Sequence, residues 1–139
     1  MKMKQIMILL FTVAALFSIN ASACGMGEQV DGYENSSVGH AHAHWQAGES
    51  SPVPFVFIDV RTPEEYSESH IEGSILIPLQ QLEQRLAEVP KEKRVYLYCR
   101  SGRRSVEAAG ILVKTGFNNI ENIEGGITAW KSAGYPTVK

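Results

Sequence analysis

The chain has 139 residues, enough for one domain with a hydrophobic core but too few for two domains of ordinary size. Hydrophobic residues make up 44% of it and charged residues 20%, which excludes a largely disordered protein. With 13 basic and 15 acidic residues the net charge is −2, so the sequence does not predict a nucleic-acid-binding protein.

Residues 1–23 have the features of a secretory signal peptide. Lys2 and Lys4 precede an uncharged apolar stretch at 6–19, and the small residues 21–23 follow it. The stretch is shorter than the roughly 18 residues that a membrane-spanning helix needs. We therefore expect cleavage after residue 23, export and a periplasmic location.

Cys24 leaves two alternatives open at this terminus. Small residues followed by Cys also resemble a bacterial lipoprotein signal, in which the Cys carries lipid and anchors the protein to a membrane. Cys24 and Cys99 are the two cysteines of the chain, and exported proteins commonly pair their thiols. We favour a free Cys99, because Cys24 lies on a chain terminus and Cys99 lies in a loop with its own chemistry.

Residues 24–51 are rich in small and polar residues without a sustained period, which predicts a flexible tether. His40, His42 and His44 alternate with alanine in it. In an extended segment the three imidazoles would share one face and suit a metal ion, whereas in a helix only His40 and His44 would be neighbours. No carboxylate or thiolate is close in sequence, so we predict no metal site. The folded domain is assigned to 52–139, with a start that can extend back to about residue 38.

From Pro54 onward strands alternate with helices. Four apolar runs read as strands, at 55–58, 75–77, 95–98 and 120–123. The helices are predicted after Thr62, at 79–89, at 105–115 and after Gly125-Gly126. Strands alternating with helices imply an α/β fold with a parallel sheet covered on both faces, and ligands bind beyond the carboxyl ends of such strands. Cys99 lies at one of these ends.

Local signals set the ends of two of these helices. Thr62 and Glu65 form a capping box, with Pro63 at the first helical position. Gly116 is placed to end the 105–115 helix in a left-handed cap.

The loop headed by Cys99 carries the chemistry. A thiol attacks well only as a thiolate, so the anion must be stabilised. Three sources are available: the guanidinium groups of nearby arginines, the backbone N–H groups of a tight loop, and the N-terminus of the next helix. The same donors would hold an anionic substrate. We therefore assign Cys99 as the nucleophile and, as its anion-binding loop, Arg100, Ser101, Gly102, Arg103, Arg104 and Ser105.

The segment 55–136 resembles the single-domain rhodaneses, which are thiosulfate-type sulfurtransferases. The motifs that carry the resemblance are Ile58-Asp59-Val60-Arg61, Thr62-Pro63-Glu64-Glu65-Tyr66, His70-Ile71-Glu72-Gly73-Ser74, Ile77-Pro78, Tyr98-Cys99 with the loop that follows, and Gly125-Gly126-Ile127 with Trp130. The resemblance implies a five-stranded parallel sheet flanked by helices. It also implies that Cys99 takes sulfane sulfur from a small anion as a persulfide and passes it to cyanide or a thiol, without a cofactor.

Two other functions stay open beside this one. A carrier module would accept the persulfide from, or present it to, a partner protein without turning over small donors. Rhodanese-like phosphatases also resemble this fold, but their loop is one residue longer than the six residues 99–104. Asp59, Arg61 and His70 are supporting residues whose equivalents in such folds look mostly structural, and Arg104 is the arginine expected to point inward.

Overall fold

A computed structural model describes residues 29–30 and 32–139, which form one sheet and four α-helices. The strands are β1 (Gln29–Val30), β2 (Tyr33–Ser36), β3 (Phe55–Asp59), β4 (Ile75–Leu76), β5 (Arg94–Tyr98) and β6 (Ile120–Ile123). The α-helices are α1 (Val38–Ala47), α2 (Pro63–Glu68), α3 (Arg103–Lys114) and α4 (Gly126–Ser132). The predicted signal peptide and the alternatives for Cys24 lie outside the described residues. Among the helices that are described, none has the length and apolar character to cross a membrane.

The strand order of the sheet is β1-β2-β6-β5-β3-β4. Five strands run parallel, and β1 adds an antiparallel edge beside β2. Side chains of β5 alternate between two apolar clusters: Val95 and Leu97 pack beneath α3, while Tyr96 and Tyr98 pack beneath α1 and α4. The predicted five-stranded parallel sheet with helices on both faces is confirmed.

The carboxyl ends of the central strands meet at one edge of the sheet. Asp59 at the end of β3 lies opposite Tyr98 at the end of β5, and Leu97 lies opposite Asn122 on β6. Cys99 follows directly after β5, which runs between β3 and β6. This residue therefore begins a loop at the centre of the edge where ligands of parallel sheets bind.

The prediction of a flexible tether is wrong for residues 33–50. Strand β2 pairs with β6, and α1 begins at an N-cap where the Ser37 hydroxyl accepts a hydrogen bond from the His40 amide. Tyr33 and Ala41 are buried in the two apolar clusters. The strand is short and polar, and its partner strand lies far along the chain, so its own residues carry little strand signal. The domain thus starts before residue 38 and includes the fifth parallel strand.

The three histidines of α1 have the helical arrangement. The rings of His40 and His44 are neighbours, with centroids 5.0 Å apart, whereas the His42 ring stacks on Tyr135 at 3.7 Å. The three imidazoles therefore do not share one face. Within the described ranges, no three His, Cys, Asp or Glu side chains come together as a metal site.

The segment 79–89 keeps its predicted apolar face but is not an α-helix. It forms two 3₁₀ helices, Leu79–Gln84 and Leu86–Glu88, separated at Arg85. Leu82 and Val89 are buried against the cluster beneath α3. In this short segment, bounded by Pro78 and Pro90, tertiary packing of the leucines decides the geometry over the 3.6-residue period. The segment forms one wall of the cleft described below.

Two helix ends agree with the predicted signals. The capping box of α2 is present, with hydrogen bonds from the Glu65 amide to the Thr62 hydroxyl and from the Thr62 amide to the Glu65 carboxylate. Helix α3 begins at Arg103, two residues earlier than predicted, and ends before Gly116, which has a φ of 94°.

Candidate active site

The loop after β5 is fixed on its outer side by α4. The Ile127 amide donates to the Cys99 carbonyl at 2.9 Å, and the Thr128 amide donates to the Arg100 carbonyl at 3.1 Å. This approach requires glycine at 126, since a Cβ there would lie 2.3 Å from the Cys99 carbonyl oxygen. Gly102 has a φ of 108°, which turns the chain from the loop into α3. These two glycines explain why the chain can form so tight a loop.

The Cys99 sulfur is surrounded by neutral hydrogen-bond donors. The residue is 1% exposed, and its Sγ accepts from the Gly102 amide at 3.1 Å and from the Ser105 hydroxyl at 3.5 Å. Burial opposes ionisation of the thiol, but the Ser105 hydroxyl and the backbone amides of the loop outweigh it and lower the pKa of Cys99. The geometry therefore favours a thiolate at a site from which bulk water is largely excluded.

Ser105 has a second contact, which competes with its hydrogen bond to the Cys99 sulfur. Its hydroxyl also donates to the Gly102 carbonyl at 3.0 Å. A hydroxyl has one hydrogen, so it serves either the sulfur or the carbonyl at a given moment. A negative charge on the sulfur attracts that hydrogen, because hydrogen bonds to charged acceptors are the stronger ones.

The arginines of the loop do not contact the sulfur as the sequence suggested. Arg100 and Arg103 are exposed, and neither forms an ion pair with a carboxylate in the described part of the chain. Arg104 donates two hydrogen bonds, of 2.7 and 2.8 Å, to the carboxylate of Glu65. The expected inward arginine is thus neutralised by a residue that sequence analysis identified only as a helix cap. Their separation of 39 positions left no local signal for this pairing.

A cleft of about 650 Å³ opens beside the sulfur. Its walls come from the 3₁₀ segment, the loop and α3, through Leu79, Gln80, Glu83, Gln84, Cys99, Arg100, Ser101, Arg103, Arg104, Glu107 and Ile111. Arg100 also borders a second cleft of about 440 Å³, together with Arg61 and Lys131. Every predicted loop residue except Gly102 and Ser105 lines the larger cleft, and those two hydrogen-bond to the sulfur from beneath it.

The three supporting residues lie close to the strand ends but do not bond to Cys99. The buried Asp59 carboxylate accepts from the Arg61 side chain at 2.6 to 3.0 Å, and Arg61 also donates to the Ser69 carbonyl at 2.7 Å. These bonds join the end of β3 to the segment after α2. His70 lies within hydrogen-bond distance of the Tyr66 carbonyl, 2.9 Å from its Nδ1, and stacks on the Tyr66 ring. Their contacts hold the backbone together at this edge.

Comparison with known proteins gives a family model and several similar proteins. The family model of the rhodanese-like domain matches residues 41–133 of the sequence. A "Sulfurtransferase" of Allochromatium vinosum is 37% identical over 60% of this chain and 78% of its own length. The "Thiosulfate sulfurtransferase PspE" of Escherichia coli is 41% identical over 50% of this chain and 68% of its own length. A crystal structure of a rhodanese-related protein from Thermoplasma volcanium matches with a TM-score of 0.66 and 30% identity, covering 75% of this chain and 96% of the other.

Proposed function

Because the chain belongs to the rhodanese-like domain family, we propose that it moves sulfane sulfur from thiosulfate or a similar donor to cyanide or a thiol acceptor. The observation that carries the proposal is the Cys99 sulfur, which accepts hydrogen bonds from the Gly102 amide and the Ser105 hydroxyl beside an open cleft. Cys99 is the catalytic residue, and the loop from Arg100 to Ser105 binds the anion.

In the first step the Cys99 thiolate attacks the outer, sulfane sulfur of thiosulfate. A new S–S bond forms, the S–S bond within thiosulfate breaks, and its electron pair leaves with sulfite. The outer sulfur of the resulting persulfide bears the negative charge that the thiolate had before. The inward-facing amides of the loop suit either anion, so one set of donors stabilises both.

In the second step an acceptor from solution attacks the outer sulfur of the persulfide. The electron pair of the broken S–S bond returns to Cys99, and the sulfur leaves as thiocyanate or as the persulfide of the acceptor thiol. Cys99 is the one cysteine in the part of the chain that the structure describes. An external acceptor is therefore expected to complete the cycle.

Thiocyanate formation tests this proposal. Purified protein given thiosulfate and cyanide should release thiocyanate over many turnovers, and the Cys99→Ser variant should release none. Intact mass after thiosulfate alone should rise by one sulfur atom on the wild type. A protein that gains the sulfur without turning over is the carrier instead. Turnover of an aryl phosphate with no sulfur gain would contradict sulfur transfer altogether.

Export is the second part of the proposal, supported by the sequence of residues 1–23 alone. A tagged full-length chain expressed in a Gram-negative host should appear in the periplasmic fraction, shortened by the leader. Retention of the full mass in the cytoplasm would contradict export. Lipid on Cys24 in the membrane fraction would favour the lipoprotein alternative over simple cleavage.

A further inference from the structure

Among the described residues, the ion pair between Glu65 and Arg104 is the only one that joins a carboxylate to an arginine of the Cys99 loop. Both side chains are partly exposed, at 27% and 29%. Arg104 lines the same cleft as Cys99, and the pKa of Arg104 is raised chiefly by Glu65, with a smaller contribution from Cys99. Its charge therefore acts in the cleft and is partly cancelled there.

Glu65 is not free to release Arg104. Its Oε2 accepts from Arg104 at 2.7 Å and also from the Thr62 amide at 3.1 Å, so the capping box of α2 holds the carboxylate in place. The hydrogen bonds from Arg104, with smaller help from the Thr62 amide, lower the pKa of Glu65 to about 2. The carboxylate is therefore charged at neutral pH. A bidentate pair of this kind fixes the guanidinium plane as well as its charge.

The other two arginines of the loop differ from Arg104 in their surroundings. Arg100 and Arg103 are exposed and form no ion pair with any carboxylate that the structure describes. Three arginines thus border the cleft, and the charge of one of them, Arg104, is compensated by Glu65. Thiosulfate carries two negative charges, and the sulfite that must leave is also anionic. Tight binding of such anions would slow product release as well as favour capture.

We propose that Glu65 is a positioning residue that limits the anion affinity of the Cys99 cleft by holding Arg104 in a bidentate ion pair. This inference rests on the proposed function for its physiological meaning. It concerns the affinity of the cleft for anions, so it is measurable without any sulfur transfer. Glu65 acts through Arg104 and does not touch the reacting atoms.

Glu65→Gln is the direct test. The amide oxygen of Gln can still accept from the Thr62 amide or from Arg104, so the capping box survives while the negative charge is lost. We expect sulfate to protect Cys99 from iodoacetamide at a concentration about fivefold lower than in the wild type, and the KM for thiosulfate to fall by about the same factor. The pH midpoint of Cys99 alkylation should also move down, and each difference should shrink at high salt.

The matched control is Glu88→Gln. Glu88 forms a similar bidentate ion pair with Arg85, at 2.8 and 2.7 Å, outside the residues that line the cleft. It should change neither sulfate protection nor the alkylation midpoint. If Glu65→Gln behaves in the same way as this control, the inference is wrong. Unchanged or weaker sulfate protection in a folded Glu65→Gln protein overturns it as well.

A double-mutant cycle of Glu65 and Arg104 provides a second test. Arg104→Gln leaves Glu65 uncompensated beside the cleft, which should weaken sulfate protection by about tenfold. Adding Glu65→Gln to that variant should restore part of the lost affinity, and absence of any restoration contradicts the inference. Because protection from alkylation needs no turnover, a protein that shows these shifts but makes no thiocyanate would refute the proposed function and leave this inference intact.

Discussion

Glu121 and Cys99 are both buried beside β5, but the protein compensates their negative charges differently. Glu121 lies opposite Tyr96, and its carboxylate is paired with Arg94 at 3.0 Å and approaches His40 at 3.7 Å. The Cys99 sulfur, at the other end of the strand, accepts hydrogen bonds from neutral groups. A full opposite charge holds the Glu121 carboxylate in a structural ion pair, whereas dipoles stabilise the sulfur and leave a lone pair able to attack.

The pKa values of the groups around Glu121 reflect the full charge of its carboxylate. Around Glu121, burial together with that carboxylate raises the pKa of Tyr96 to about 12. Burial, the neighbouring His40 and Arg94 lower the pKa of His44, although Glu121 acts in the opposite direction. The Glu121 carboxylate itself is buried, whereas its partners Arg94 and His40 are partly exposed. Substitutions beside Cys99 and substitutions around Glu121 should therefore have separable effects on reactivity and stability.

Gly126→Ala should damage the Cys99 region most. The new Cβ would meet the Cys99 carbonyl oxygen at 2.3 Å, and the φ of 56° is itself unfavourable for alanine. We expect the free energy of unfolding to fall by about 3 kcal/mol, with loss of most Cys99 reactivity. Urea denaturation and iodoacetamide labelling measure the two effects.

Gly134→Ala is the matched control for this substitution. Gly134 has a φ of 80°, but a Cβ there meets nothing within 4 Å. Only the backbone strain of about 1 kcal/mol should appear, without any change in Cys99 labelling. Equal effects of the two substitutions would show that the approach of α4 to the loop is not what position 126 requires.

Glu121→Gln should destabilise the fold without affecting the sulfur. It leaves Arg94 without its charged partner, but the Arg94 side chain is 31% exposed and can be hydrated. The expected loss in the free energy of unfolding is therefore only about 1–2 kcal/mol. The rate of Cys99 alkylation at neutral pH should equal that of the wild type. A faster rate would mean that the two regions are electrostatically coupled, since loss of the Glu121 charge would then lower the pKa of Cys99.

Ser105→Ala should change the reactivity of Cys99 and have a smaller effect on the stability of the fold. Removing the hydroxyl that donates to Sγ raises the pKa of Cys99, so less thiolate is present at neutral pH. We expect alkylation at pH 7 to slow by about threefold to tenfold, with a smaller effect on stability. A pH profile of alkylation should show the midpoint moving up. Ser67→Ala, at an exposed serine on α2, should leave the profile where it is.

The smallest effect should be a dependence of stability on pH. The pKa of His44 lies below its ordinary value of 6.5 in the folded protein. The unfolded state then binds the proton more readily, so stability is lost as the pH falls below that ordinary value. His44→Gln should make the melting temperature less dependent on pH over the range of about 5 to 8. Parallel curves for the two proteins would contradict this assignment.

The sequence predicted those elements whose signal is local. The apolar runs of β3, β5 and β6 and the capping box of α2 depend on neighbouring residues, and each is present. Strand β2 was missed because its four residues are largely polar and its pairing with β6 depends on distant residues. The leucine spacing at 79–89 predicts an α-helix, whereas the structure has two 3₁₀ helices there, because both kinds of helix present the same leucines to the core.

For the candidate site as well, the sequence predicted the features that depend on neighbouring residues. The thiolate-favouring loop was recognisable from Cys99, the glycine and the following helix. The direction of each arginine was not, since Glu65 and Arg104 are brought together by the packing of α2 against the loop. The parallel sheet fixes which loops meet, but the choice among three neighbouring arginines depends on contacts that no local pattern records.

Helix α4 has an effect on the sulfur without touching it. A peptide unit is planar, with its C=O and N–H pointing in opposite directions. Where the Thr128 amide binds the Arg100 carbonyl, the N–H of Ser101 must face the other way, toward the sulfur, and it is one of the amides that lower the pKa of Cys99. The helix therefore orients the amide dipoles of the loop toward the Cys99 sulfur in the absence of substrate. Substitutions at the first residues of α4 should therefore change the reactivity of Cys99.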